Sequence, residues 1–228
     1  MPALTPGIDT LRTYAPRMHA SGAGQTPQSE ASRPRRESAD AFQSLPLVVH
    51  SVLHDVPLRD VTVVDLPNGG VGRTVADVQA LMSGGAGKAA TWPTRALFAV
   101  RRHVGRIFRW DSQESSRRHP SYRDRVDEAV LRRSVARTAG SDKTFEPLYQ
   151  LDNESLVEAR NATVHAFMSV VLMPLEKGYR LYWAVYVKPV SRFTSLYMAL
   201  IEPFRRFIVY PALLSAVQRR WAERYATQ

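Results

Sequence analysis

RNATVHAFMSVVLMPLEKGYRLYWAVYVK, residues 160–188, alternates in polarity on both sides of a central turn. Ala162, Val164, Ala166, Met168, Val170 and Leu172 occupy every second position, and so do Tyr179, Leu181, Trp183, Val185 and Val187. Successive side chains of a strand point to opposite faces, so each row is one face of a strand. PLEKG between them is the turn of a β-hairpin. The rows share a face only in a register that sets, for instance, Val170 against Leu181 or Trp183. A slip by one residue would turn every apolar side chain outward. The other face carries Asn161, Thr163, His165, Phe167 and Ser169 beside Arg180, Tyr182, Tyr186 and Lys188. That is more aromatic than a bare solvent face needs: either something covers it or it is a plain surface with amphipathic tips, and the plain surface is the expectation.

Downstream, the period changes from two to three or four. Leu196, Leu200, Phe204, Phe207, Ile208, Leu214, Val217 and Trp221 form one stripe of a helix over about 192–224. A straight rod of that length would span about 50 Å at 1.5 Å per residue, more than a small sheet can cover. Pro203 and Pro211 are expected to bend it, since each disfavours a helix interior or else begins a new segment. Glu202, Arg205 and Arg206 interrupt the apolar run, which excludes a membrane span of about 20 uncharged residues.

Upstream, LPLVVHSVLHDV (45–56) and DVTVVDLP (60–67) are β-branched runs ended by turn residues, and both are predicted strands. TVADVQALM (74–82) is a predicted short helix with Thr74 as N-cap. A second helix is predicted over Thr94–Phe108, with Arg95, Arg102, Arg106 and Arg109 opposite an apolar stripe. A polar third is predicted around Tyr122–Ser134. FEPLYQL, a turn at DNES, LVEARNATVHAFMSVVLM, the turn at PLEKG and YRLYWAVYVK read as an antiparallel meander of three strands. Residues 1–40, rich in Pro, Ser, Gly and Arg, read as a disordered tail. Residues 41–226 read as one domain.

The 228 residues carry a net charge of +10, and 27 of the 31 basic residues are Arg because only 88, 143, 177 and 188 are Lys. This balance fits an Arg-rich composition better than a nucleic-acid site, because the aromatics are not interleaved with Arg for base stacking. A weak contact with anionic membrane remains open through the basic helix and its flanking Trp92, Phe98 and Trp110. The absence of Cys excludes disulfides, thiol nucleophiles and cysteine-held metals. No signal peptide is apparent, and a cytoplasmic protein is expected.

The order of elements resembles the helix-grip fold of the START-like superfamily (polyketide cyclase/SRPBCC), which includes lipid-transfer domains. RNATVHAFMSVVLMP, YRLYWAVYVKPVSRFTSLYMALIEPFRRFIVYPALL and DVPLRDVTVVDLPNGGVGRTVADVQAL resemble a bacterial domain-of-unknown-function family grouped with it, over roughly Ala41 to Trp221. The resemblance implies an α+β fold, an antiparallel sheet wrapped on a long kinked C-terminal helix with an internal cavity. It implies no reaction, since fold alone does not confer function.

Met168, Trp183, Tyr197 and Phe204 are the expected wall of a cavity for a small hydrophobic or amphipathic ligand. An enzyme of the cyclase or dehydratase type is the alternative, and a peripheral membrane or interaction module is a third. His165 beside Tyr182 or Tyr186 is the first acid–base candidate, followed by His54 and Asp55 at a strand end, but a structural role is the favoured reading of both, for His165 as an outward cross-strand His–Tyr pair. His50 and His54, in a strand, would lie about 13 Å apart, too far to share a metal. SGGAGKAAT lacks the first glycine of a phosphate loop. Asp152, Glu154 and Glu158 fit turn and surface chemistry better than an acid–base pair. Neither a cofactor nor a metal is expected, and the oligomeric state stays open.

Overall fold

The computed structural model describes residues 33–83, 119–135, 145–160, 164–190, 202–203 and 205–226. Its sheet is built from β1 (Arg35–Arg36), β2 (Leu58–Leu66), β3 (Glu146–Gln150), β4 (Glu154–Arg160), β5 (Val164–Leu175) and β6 (Gly178–Pro189). The hairpin read from residues 160–188 is β5–β6, and Val170 pairs with Trp183 as the apolar rows require. Gly178 closes its turn at φ +112°, and a Cβ there would sit 2.2 Å from the Leu66 carbonyl oxygen. Only glycine fits. β2 pairs with the outer side of β6, and β4 and β3 extend the sheet beyond β5. The order is β1-β2-β6-β5-β4-β3, every pair antiparallel.

The helices are α1 (Ala39–Gln43), α2 (Val48–Val52), α3 (Val75–Ser83), α4 (Glu128–Arg133) and α5 (Tyr210–Tyr225). A 3-10 turn at Tyr122–Arg125 precedes α4, and a π-helical turn at Arg205–Val209 runs into α5. The chain is therefore α+β, with a C-terminal helix of 21 residues against the strands. One sheet face buries Val64, Leu66, Val170, Leu172 and Leu181 beneath α3 and α5, which contribute Val75, Val78, Leu214, Val217 and Trp221. Trp221 donates from Nε1 to the Pro67 carbonyl at 3.0 Å and packs against Gly69, where a Cβ would meet its ring at 2.7 Å.

The opposite face is not a plain surface. Phe167, Val171, Tyr182, Ala184 and Tyr186 are buried there under Phe42 of α1, Val49 and Val52 of α2, and Tyr122 and Val126. Two-sided burial explains why this face carries aromatics: Tyr and Phe bring large apolar area to a core. The segment 45–56 is correspondingly not a strand. Leu47 is extended, and the chain then makes one helical turn, because the buried Glu154 carboxylate accepts from the Val48 and Val49 amides at 2.9 and 3.2 Å. A cap supplied from a distant strand overrides the local β-branched preference.

Within the segment 1–40 read as a tail, Arg35 and Arg36 pair with Val63 and Thr62, and Ser38 caps α1 through the Ala41 amide. The terminal helix also departs from an even stripe. Pro211 has no N–H and crowds the carbonyl four residues earlier, and a wider turn before it relieves that conflict. The π turn moves Phe207 off the buried stripe to 70% exposure, while Leu214, Val217 and Trp221 stay inside. The predicted basic helix Thr94–Phe108, the SGGAGKAAT connector, residues 1–32 and the start of the terminal helix at 192–201 lie outside the described residues.

Candidate functional site

Two backbone irregularities converge at one end of the face covered by the C-terminal helix. On β2, the register against β6 shifts between Leu58, opposite Tyr186, and Asp60, opposite Val185. Such bulges re-aim a side chain and recur beside functional sites. Asp60 alternates in phase with Thr62, Val64 and Leu66 and is directed toward the C-terminal helix, while the bulge sends Leu58 to the opposite face beside Tyr186. Facing it is the π turn, whose Arg205 Nη2 lies 3.6 Å from Asp60 Oδ2. π turns also recur at functional sites.

Asp60 is 4% exposed. Among the described residues neither of its oxygens finds a hydrogen-bond donor, and Arg205 stands at ion-pair rather than hydrogen-bond distance. Burial pushes its carboxyl up to about 6. The charges of Arg205 and Arg36 pull the other way, and Glu202 adds to the rise. Around it the surface is apolar and aromatic. Trp183 and Tyr210 stand 6.1 Å apart at 50°, and Val185, Val187, Met168 and Ala166 pack beside them. Trp183 Nε1 is buried without a hydrogen bond of good geometry, with the Tyr210 hydroxyl as its polar neighbour. Burial raises the Tyr210 hydroxyl above the usual phenol range.

Of the four residues expected to form a ligand wall, the structure brings Met168 and Trp183 to this cluster. Tyr197 and Phe204 lie outside the described residues. Asp60 and Arg205 were not singled out in the sequence. The available signal was an Asp sharing the parity of Val64 and Leu66. It was masked because Val61 and Val63 make the other parity equally apolar.

The other sheet face holds the expected acid–base residues, bound into a closed network. His165, 2% exposed, is 2.9 Å through Nε2 from Glu158 Oε2, stacks on Phe167 and meets the Tyr122 ring edge-on. Glu158 also accepts from the Ser121 hydroxyl and from the Tyr122 amide at 3.2 Å, with Arg160 Nε 3.6 Å away. Burial would raise its carboxyl, but the bonds from His165, Ser121 and Tyr122 outweigh burial and hold it below the usual glutamate range. Glu154 accepts from the Tyr149 hydroxyl and from α2, yet burial keeps its carboxyl raised. Two buried carboxylates on β4 thus clamp α2 and the Tyr122 turn to the sheet. Four residues apart on a strand, they stand about 13 Å from each other, too far for a catalytic pair.

Tyr186 is buried in the same layer as His165, not on an open surface, and burial raises its hydroxyl. His54 and Asp55 follow α2 at the surface. His54 Nδ1 bonds the Ser51 carbonyl at 2.9 Å, and Asp55 takes Arg125 in a bidentate pair at 2.6 and 3.2 Å. Asp55 therefore ties the segment after α2 to the turn that carries Tyr122, whose ring lies 3.8 Å beneath the Arg125 guanidinium.

An open groove of about 390 Å³ between α3 and α5, lined by Ala80, Leu81, Arg220, Glu223 and Arg224, shares no residue with the Asp60 cluster. Among the described residues there is no group of three or more metal-binding side chains, and no helix is long and apolar enough to cross a membrane.

Neither a curated protein nor a solved structure matches the chain. One protein family does, described as protein of unknown function (DUF2867), over residues 52–212, a span that runs from α2 through the sheet to the first residues of α5. The bulged strand with Asp60, the hairpin with Trp183 and the π turn with Arg205 all fall inside that match, and the chain belongs to the DUF2867 family.

Proposed function

We propose that the protein binds a small hydrophobic or amphipathic molecule between its sheet and its C-terminal helix, in the manner of a START-like helix-grip domain. One observation carries the reading. A charged side chain, Asp60, is buried without a hydrogen bond, with Arg205 at ion-pair distance, beside an aromatic and aliphatic cluster. Burying such a group costs free energy unless a partner satisfies it, and ligand sites combine apolar walls with a few convergent polar groups in this way. Trp183, Met168 and Tyr210 form the apolar wall, and Asp60 with Arg205 forms the polar end. By contrast, the carboxylates on the opposite face are hydrogen-bonded within the fold, which supports a structural role for His165 and Glu158.

The test is native mass spectrometry of the purified chain beside a denatured control, on wild type and on Met168→Trp, whose larger ring fills the wall. A retained apolar molecule that leaves on denaturation is expected. The variant, checked for fold by circular dichroism, should lose it. A bare chain in wild type that also gains no mass from added fatty acids and long-chain amides removes the reading.

Acid–base catalysis on the bound molecule is a second reading, favoured by an Asp60 carboxyl raised to about 6, near the pH at which a general acid or base works. It requires that an offered molecule be released chemically changed.

A further inference from the structure

Three features at the buried end of the C-terminal helix constrain what the site accepts. Asp60 offers two acceptor oxygens that no described residue satisfies. Trp183 offers one buried donor, Nε1, which makes no hydrogen bond of good geometry and has the Tyr210 hydroxyl as its polar neighbour. Asp60 pairs with Val185, so Trp183, two residues along β6, is its diagonal cross-strand neighbour on the same face. Diagonal neighbours lie about 7–8 Å apart, within reach of aromatic and long side chains. One small polar group between them can donate to Asp60 and accept from Trp183.

The charge of that group is also constrained. Arg205 Nη2 lies 3.6 Å from Asp60 Oδ2, so the carboxylate already faces a cation, and the more distant charges of Glu202 and Arg36 act on it in opposite directions. An ammonium head would bring a second positive charge against Arg205, and a carboxylate head a second negative charge against Asp60. An ester, an acceptor only, would leave both Asp60 oxygens without a donor, and an unmade buried hydrogen bond is costly. Beyond the head, Met168, Val185, Val187 and the rings of Trp183 and Tyr210 suit an apolar tail.

We infer that the site takes a neutral amphiphile whose polar head sets a hydrogen-bond donor beside an acceptor, as in a primary carboxamide or a hydroxyl next to a carbonyl. The inference rests on the reading of this face as a ligand site, and the experiment separates the two. Isothermal titration of the full chain at neutral pH compares four tail-matched probes: decanamide, methyl decanoate, decylamine and sodium decanoate. Decanamide is expected to bind about tenfold more tightly than the other three, the scale of one buried hydrogen bond.

In Asp60→Leu the preference for decanamide over methyl decanoate should collapse, with the ester bound at least as well as by wild type. Asp60→Asn keeps the side-chain volume and supplies a donor. It should therefore move the preference toward the ester, and it serves as the test if Asp60→Leu does not fold by near-ultraviolet circular dichroism. Tightest binding of decylamine or decanoate overturns the inference, as does a preference for decanamide that both variants retain. Equal binding of all four probes overturns it too, but leaves the ligand site standing. If no probe binds wild type, the ligand site fails and the inference fails with it.

Discussion

A carboxylate placed as Asp60 is works against the fold once it ionises. Its side chain is buried, its oxygens accept no hydrogen bond from the described residues, and its carboxyl is raised from 3.8 to about 6. The folded chain thus holds this proton more tightly than the unfolded chain does. Below about pH 4 both states carry it and nothing is lost. As pH rises through about 6 the folded state pays for the charge, and stability falls by about 3 kcal/mol in all. Asp60→Asn should remove that slope. The prediction is that wild type loses about 3 kcal/mol relative to Asp60→Asn between pH 3 and pH 7.5, read from urea denaturation at each pH. A difference that does not change with pH counts against this account of Asp60. Glu158 is buried at least as deeply and is shifted the other way, because Ser121, Tyr122 and His165 all bond it. Burial is common to both carboxylates. Hydrogen bonding separates a structural one from a candidate functional one.

The elements show which local patterns survive assembly. The β5–β6 hairpin, β2, the helix at Val75–Ser83 and the strand before DNES were legible because their periodicity is contained in a few consecutive residues, whereas 156–173, read as one strand, is two, β4 and β5, paired antiparallel to each other. The turn of the hairpin is also locally specified. Gly178 sits at φ +112° with the Leu66 carbonyl oxygen 2.2 Å from a hypothetical Cβ, so the β5–β6 turn and the end of β2 are built against each other. Gly178→Ala is expected to destabilise by about 4 kcal/mol, combining backbone strain with a clash against main chain that has no rotamer to yield. Urea melts would show it, and a loss under about 1 kcal/mol would mean the turn relaxes freely. The bulge at Asp60 and the π turn at Arg205–Val209 were not legible. A bulge is a mismatch between two strands, so neither strand encodes it alone. Pro211 signalled a disturbance in the terminal helix, but not that it would take the form of a wider turn exposing Phe207.

At the scale of the molecule, the sheet is a middle layer, with α3 and α5 on one side and α1, α2 and the Tyr122 turn on the other. Phe42 tests this arrangement. It is fully buried, 5.8 Å from Tyr182 and edge-on to His50 at 5.3 Å. If the second face is a core, Phe42→Ala should cost about 3–5 kcal/mol, whereas a surface substitution would stay within about 0.5 kcal/mol. The melting temperature and urea midpoint of the variant decide between them. The sequence by itself determined the α+β class, the register parity of the central hairpin and the apolar face that receives the terminal helix, because alternation and helical spacing are written in neighbouring residues. Only the tertiary structure decided that the aromatic face is covered and that residues 48–52 coil into a helix. Those outcomes depend on Glu154 reaching amides 106 and 105 residues away and on Glu158 reaching the Tyr122 amide 36 residues away. The same holds for Asp60. An Asp at the start of a strand is ordinary until a distant helix closes over its face, and only then does its charge become a cost that a ligand could offset.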